Sequence, residues 1–111
     1  MAIPENKGKV MNLAHEIEYA NGSIVSKILQ KGENGNLTLF SFDKDQGLSE
    51  HSAPFDASVL VLEGEGEVAI GGTPHLLHAG EFIVMPANIP HAVKAVQPFK
   101  MLLVMIKNKE C

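Results

Sequence analysis

The sequence predicts an all-β domain, a sandwich or barrel. Three observations carry that reading. From Ile24 onward the apolar residues fall into short runs of strand-like composition, not into helical stripes. Each run is bounded by a turn signal: Gly35-Asn36, Gly47, Pro54, Gly71-Gly72, Gly80, Pro90 and Pro98. The chain has 111 residues, enough for one core and too few for two.

The elements follow in order. Residues 1–11 are polar and rich in Gly, Lys and Asn. Asn12 is a candidate cap, and Leu13, Ile17 and Ala20 fall at helical spacing, which predicts a short helix or turn over 12–20. Asn21-Gly22-Ser23 reads as a turn. The predicted strands are 24–30, 37–43, 49–53, 58–64, 66–71, 73–78, 81–87, 91–96 and 100–106. Gly71-Gly72 lies between two alternating runs and suits a two-residue hairpin, because both positions take positive φ freely. The chain therefore divides into an N-terminal extension with a possible short helix (1–23), a β-barrel (24–107) and a C-terminal tail (108–111).

Two strands are apolar on both faces: Val59-Leu60-Val61-Leu62 and Met101 to Ile106. One face lines the interior and the other needs a second cover. A homodimer is the expected cover; the alternative is the N-terminal segment folding over those strands within one chain.

Composition narrows the function. Hydrophobic residues make up 45% and charged residues 20%, the balance of an ordinary globular protein. Net charge is -4, with no basic cluster to neutralise phosphates, so a nucleic-acid partner is not expected. No run approaches the length of a membrane-spanning helix, and the first residues lack the apolar core of a secretory signal. The single cysteine, Cys111, has no partner for an internal disulfide, which suits a reducing cytoplasm.

The chemistry-bearing residues are histidines. His51 precedes a Pro54-Phe55-Asp56 turn and an apolar run; His91 follows the rigid loop Pro86-Ala87-Asn88-Ile89-Pro90. His51 and residue 53 lie two apart on a strand and share a face, the arrangement a ligand pair needs. Three residues separate Ala53 from Ala57, and six more lead to Gly64. Downstream, Gly80, Pro86 and His91 keep a second fixed spacing. On these two motifs the segment from Leu37 to Ile106 resembles a small single-domain cupin. The resemblance implies a double-stranded β-helix, or jelly-roll, barrel. It also implies a divalent metal, Fe, Mn, Ni or Zn, held by two histidines and a glutamate of the first motif and one histidine of the second.

The departures from that pattern fall on the chemistry. Ala53 stands at the second histidine position and Ala57 at the glutamate position. Asn88 and Ala95 replace the glycine and asparagine of the second motif, and Gly47 lies nearer His51 than the opening glycine should. Only His51 and His91 remain as metal-ligand candidates, whereas catalytic zinc sites generally use three protein ligands. Gln46, Asp56 and His75 are candidate replacement ligands, and spacing singles out none of them. Asp56 also suits a hydrogen bond to turn backbone. Glu63, Glu65 and Glu67 read as a solvent-facing hairpin, while His15, His75 and His78 have no partner pattern. Phe40, Phe42, Met85, Met101 and Met105 read as core that would also line any pocket of a small barrel.

The expected function is binding of a small molecule in the barrel, with His51 and His91 as polar anchors and Phe40 and Met105 on its apolar wall. One alternative is a metal-dependent dioxygenase or isomerase with a reduced ligand set. The other is a metal-free acid–base isomerase in which a histidine shuttles the proton.

Overall fold

The computed structural model describes residues 7–107. The tail 108–111, with Cys111, lies outside the described residues, as do residues 1–6. Nine strands form in chain order: β1 (Ile24–Gly32), β2 (Gly35–Phe42), β3 (Gly47–His51), β4 (Asp56–Glu63), β5 (Glu65–Ile70), β6 (Thr73–His78), β7 (Phe82–Met85), β8 (His91–Ala95) and β9 (Phe99–Ile106). They make two antiparallel sheets, β1-β2-β9-β4-β7 and β3-β8-β5-β6, packed as a jelly roll.

Alternation sets the inner faces. In β4 the buried residues are Ala57, Val59 and Val61; in β8 they are His91, Val93 and Ala95. Phe42 and Phe99 stack in the core with centroids 4.7 Å apart and planes 5° from parallel. Gly66 gives the Phe99 ring its place, since a Cβ there would meet the ring at 2.6 Å. The β5–β6 hairpin turns on Gly71 and Gly72, with φ of 57° and 85° as a two-glycine turn requires.

Of the short helix or turn expected over 12–20, one turn of 3-10 helix forms, Leu13–His15, and the Asn12 side chain makes no cap hydrogen bond. Residues 14–23 run as a strap across the outer face of the larger sheet. Ile17 of the strap is buried against the sheet, and the outward-facing Leu39 of β2 is buried too. Polar contacts pin the strap. The Lys100 ammonium donates to the Ala14 carbonyl (2.6 Å), Ser41 Oγ to the Glu18 carbonyl (2.8 Å) and Tyr19 Oη to Glu63 (2.7 Å). Lys27 pairs with Glu16 at 3.1 Å. Burial first, then the Glu63 carboxylate, push the Tyr19 pKa well above its ordinary value, so its hydroxyl stays a donor. Glu63 is thus an anchor of the strap, not a purely solvated hairpin residue.

The intrachain cover is partial. Register places Leu39, Leu102, Leu60 and Phe82 in one outward row, and Leu37, Val104, Ser58 and Val84 in the next. Phe82, Val84 and Ile106 remain exposed at 59%, 43% and 58%.

Candidate functional site

The site is built where the smaller sheet brings two distant segments together. His51 ends β3 and His91 begins β8, and the two are cross-strand partners. Their rings meet edge to face, with centroids 4.5 Å apart and an interplanar angle of 75°. His51 is exposed; His91 is buried, with 3% of its surface accessible.

The Pro86–Pro90 loop aims His91. Asn88 holds φ of 66° and donates its backbone N–H to the Ala53 carbonyl at 2.7 Å. The Pro90 carbonyl accepts from Gly71 N–H at 2.8 Å. Asp56 Oδ1 accepts from Ala87 N–H at 2.9 Å, so this carboxylate staples the loop to β4. Its role is structural, as a backbone acceptor, on a neighbouring loop instead of its own turn. Asn88 occupies the glycine position of the second motif, and Asp45, six residues before His51, occupies the opening-glycine position of the first. Asp45 also has positive φ, 71°. Both positions demand the left-handed region, and Asn and Asp are the residues that tolerate it best after glycine.

The two imidazoles differ electrostatically. His51 Nδ1 lies 2.9 Å from the Ser49 carbonyl, which can only accept, so in this contact Nδ1 carries the proton and Nε2 the lone pair. His91 Nδ1 is buried without a hydrogen bond of good geometry. Burial first, and the neighbouring His51 second, hold the His91 pKa below its ordinary value; the nearby Ile89 backbone offsets part of this. His91 is therefore neutral at pH 7.

Both histidines line an inner cavity of about 40 Å³, together with Leu48, Ala53, Ala57 and Met105 among others. The two alanines thus face the histidines, as strand parity predicts. Met105 also borders a wider pocket of about 420 Å³ at the barrel mouth, walled by Pro54, Phe55, Asn36, Lys31 and Lys107. Phe40 lies elsewhere: it packs on the core and stacks on Phe42 at 5.8 Å, and it does not line the histidine cavity. Gln46, Asp56 and His75 do not line it either. Sequence reasoning missed one surface cluster, His78 between Glu65 (3.1 Å) and Glu81 (3.4 Å): Glu81 is a local i,i+3 neighbour, but Glu65 reaches His78 only through the β5–β6 register.

Two imidazoles face two methyl groups on the interior of a small jelly-roll barrel. The domain model of the cupin family matches residues 38–106, and the chain belongs to that family. A conserved protein of unknown function from Streptococcus pyogenes superposes with a TM-score of 0.87 at 39% identity, covering 93% of this chain and 90% of that one. A cupin 2 conserved barrel domain protein from Leptotrichia buccalis is 48% identical with a TM-score of 0.85; the match covers 87% of this chain but 47% of that one, so this chain spans about half its length. A cupin superfamily protein from Desulfitobacterium hafniense matches at 25% identity and a TM-score of 0.86, covering 92% and 94%. No curated protein matches the chain.

Cupins often bind metals, most with donors set around a divalent ion. Among the described residues no group of three His, Cys, Asp or Glu side chains converges on a point. Two imidazoles with no carboxylate do not fit the four-ligand divalent site of the family. No helix of the described residues is long and apolar enough to cross a membrane.

Proposed function

We propose that this cupin binds a small organic molecule whose apolar body occupies the mouth pocket and whose polar end reaches His51 and His91 past Met105. The observation that supports it most is that Met105 walls both spaces. The inner cavity, at about 40 Å³, holds only a water or a single functional group, whereas the mouth pocket, at about 420 Å³, has the size of an organic ligand site. Pro54, Phe55 and Met105 supply apolar wall; the imidazoles supply hydrogen bonds. Phe40 is not part of this reading.

A second reading draws on one specific observation. A buried, neutral His91 beside a solvent-exposed His51 is a pair able to accept and return a proton, which favours metal-free acid–base chemistry over metal-dependent chemistry. The uncovered outer row of Phe82, Val84 and Ile106 supports a homodimer through this sheet, and the cysteine usage supports a cytoplasmic location.

Ligand-observed NMR of untagged protein against a library of heteroaromatic and hydroxylated fragments tests the binding reading. Hits are expected to lose binding in both His51→Ala and Met105→Ala. Hits that persist in both variants, or no hits at millimolar concentration, count against it.

A further inference from the structure

The inner cavity collects more donors than its two histidines. Met85, Met101 and Met105 also line it. Register explains how they come together. Ala57 is paired with Met85 across the β4–β7 ladder and with Met105 across the β4–β9 ladder. The three residues form one row on the inward face of the larger sheet. Met101 stands on the same face, four residues before Met105 on β9. Where the family pattern has a carboxylate, this protein has a methyl group flanked by two thioethers, facing an imidazole pair from the opposite sheet.

Such a set selects a particular kind of ion. Thioethers are neutral and polarisable, and with imidazole they suit Cu(I); hard divalent ions prefer oxygen donors. All the donors are uncharged, so the ion keeps its own charge in a low-dielectric interior. The desolvation cost grows with the square of that charge, roughly fourfold more for a divalent ion than for a monovalent one. The cavity, at about 40 Å³, has the size of an ion or a water. His91 is 3% exposed and its Nδ1 lacks a hydrogen bond of good geometry, an unused polar group in a wall that is otherwise apolar. His51 has its Nδ1 committed to the Ser49 carbonyl, which leaves Nε2 as a lone-pair donor oriented by a backbone partner, a usual support of a metal-ligating histidine. Methionines often fill gaps in cores; these three also line the cavity beside His91, whose Nδ1 lacks a hydrogen bond of good geometry.

We propose that His51, His91 and the thioethers of Met85 and Met105 form a Cu(I) site, with Met101 as an adjacent soft wall. The site goes beyond the organic-ligand reading and does not depend on it. Binding involves no redox step; the ion enters as Cu(I) and stays so.

The test uses untagged full-length protein carrying Cys111→Ser, because a free thiol would itself hold Cu(I). Cu(I) is titrated anaerobically in competition with bathocuproine disulfonate, and the bound ion is examined by X-ray absorption. About one Cu(I) per chain and sulfur scatterers in its shell are expected. Zn(II) and Mn(II) are expected to bind more weakly under the same conditions. The near-isosteric Met85→Leu/Met105→Leu variant is expected to keep the urea midpoint and weaken Cu(I) by at least about tenfold, the lower bound for losing even a supporting partner of a metal site. Substoichiometric copper, a shell without sulfur, or unchanged affinity in the folded methionine variant overturns the proposal. The absorption measurement needs no variant, so the proposal stays falsifiable if the double variant misfolds. Fragment binding is read on copper-free protein; copper failing while fragments still bind counts against this site alone.

Discussion

Replacing His91 with leucine should stabilise the protein while emptying the site of its inner donor. His91 is buried, and its Nδ1 lacks a hydrogen bond of good geometry. An unsatisfied buried polar atom costs about 1–3 kcal/mol, which His91→Leu removes with a side chain of similar volume. The ring contact with His51 is lost in exchange, worth about 0.5–1.5 kcal/mol. The net expectation is a gain of about 0.5–1.5 kcal/mol at pH 7.5, or about 4 °C in Tm per kcal/mol for a chain of this size. The gain should widen with acid. The His91 pKa in the folded protein lies below its ordinary value of 6.5. As pH falls below 6.5, the unfolded wild-type chain takes up a proton that the folded chain resists, so wild-type stability drops. Leucine has no such term, and the titrations remote from residue 91 are common to both proteins and cancel. Urea unfolding at pH 7.5 and pH 5.5 measures both effects. A variant less stable than wild type by more than about 1 kcal/mol would mean that His91 is a satisfied structural histidine. A difference that does not change with pH would refute the burial argument.

The strap should carry real stability: Ile17→Ala is expected to cost about 2–4 kcal/mol in urea unfolding, and a loss under about 0.5 kcal/mol would show that the strap lies loose. Phe82→Glu places a charge on the most exposed apolar side chain of the uncovered outer face and should give a monomer by sedimentation where the wild type sediments as a dimer; an unchanged mass for the two proteins removes that interface. Ala53→His/Ala57→Glu should restore the family's four donors and retain about one Mn(II) or Ni(II) per chain through desalting, whereas the wild type retains none. A folded double variant without metal would mean these alanines do not stand at the lost ligand positions. Asn88→Gly should stay within about 0.5 kcal/mol of wild type while Asn88→Ala costs about 1–2 kcal/mol, and equal stability of the two would contradict the left-handed backbone at this position.

The strands were legible because alternation and turn residues are local signals. The predicted run 73–78 coincides with β6, and the others differ from the observed strands by a few residues at their ends. The strap was legible only as the alternative intrachain cover, and its conformation was not. Leu13, Ile17 and Ala20 repeat at helical spacing, yet only Ile17 is buried, because an irregular segment lying on a sheet also hides one side of itself. The histidine pair was legible from parity and spacing, since both members are placed by short strands next to rigid turns. Its surroundings were not. The row Met85, Ala57, Met105 exists only through two cross-strand registers, one of which joins residues far apart in the chain. The size of the inner cavity depends on side-chain packing, which no periodicity encodes.

The positions that keep the cupin pattern and those that break it answer to different physical demands. Gly64 has φ of 83°, and a Cβ there would meet the Pro98 carbonyl at 2.0 Å; Gly80 has φ of 88°. Both glycines are retained, because the backbone permits nothing else at little cost. At residues 45 and 88 the pattern is broken on paper but obeyed in conformation, since Asp45 and Asn88 both take positive φ. Ala53 and Ala57 are of another kind. Residue 53 lies in the connection after β3 and residue 57 in β4, neither with positive φ; a histidine and a glutamate there would meet no special backbone demand, and only a ligand on the inner face would require them. Every backbone-determined position is satisfied, while the two donor positions carry methyl groups beside intact methionines. A barrel drifting toward loss of function would erode both kinds of position alike. This chain departs from the family pattern at its donors while keeping its backbone conformations, so the proposed occupants differ from the family's divalent ion.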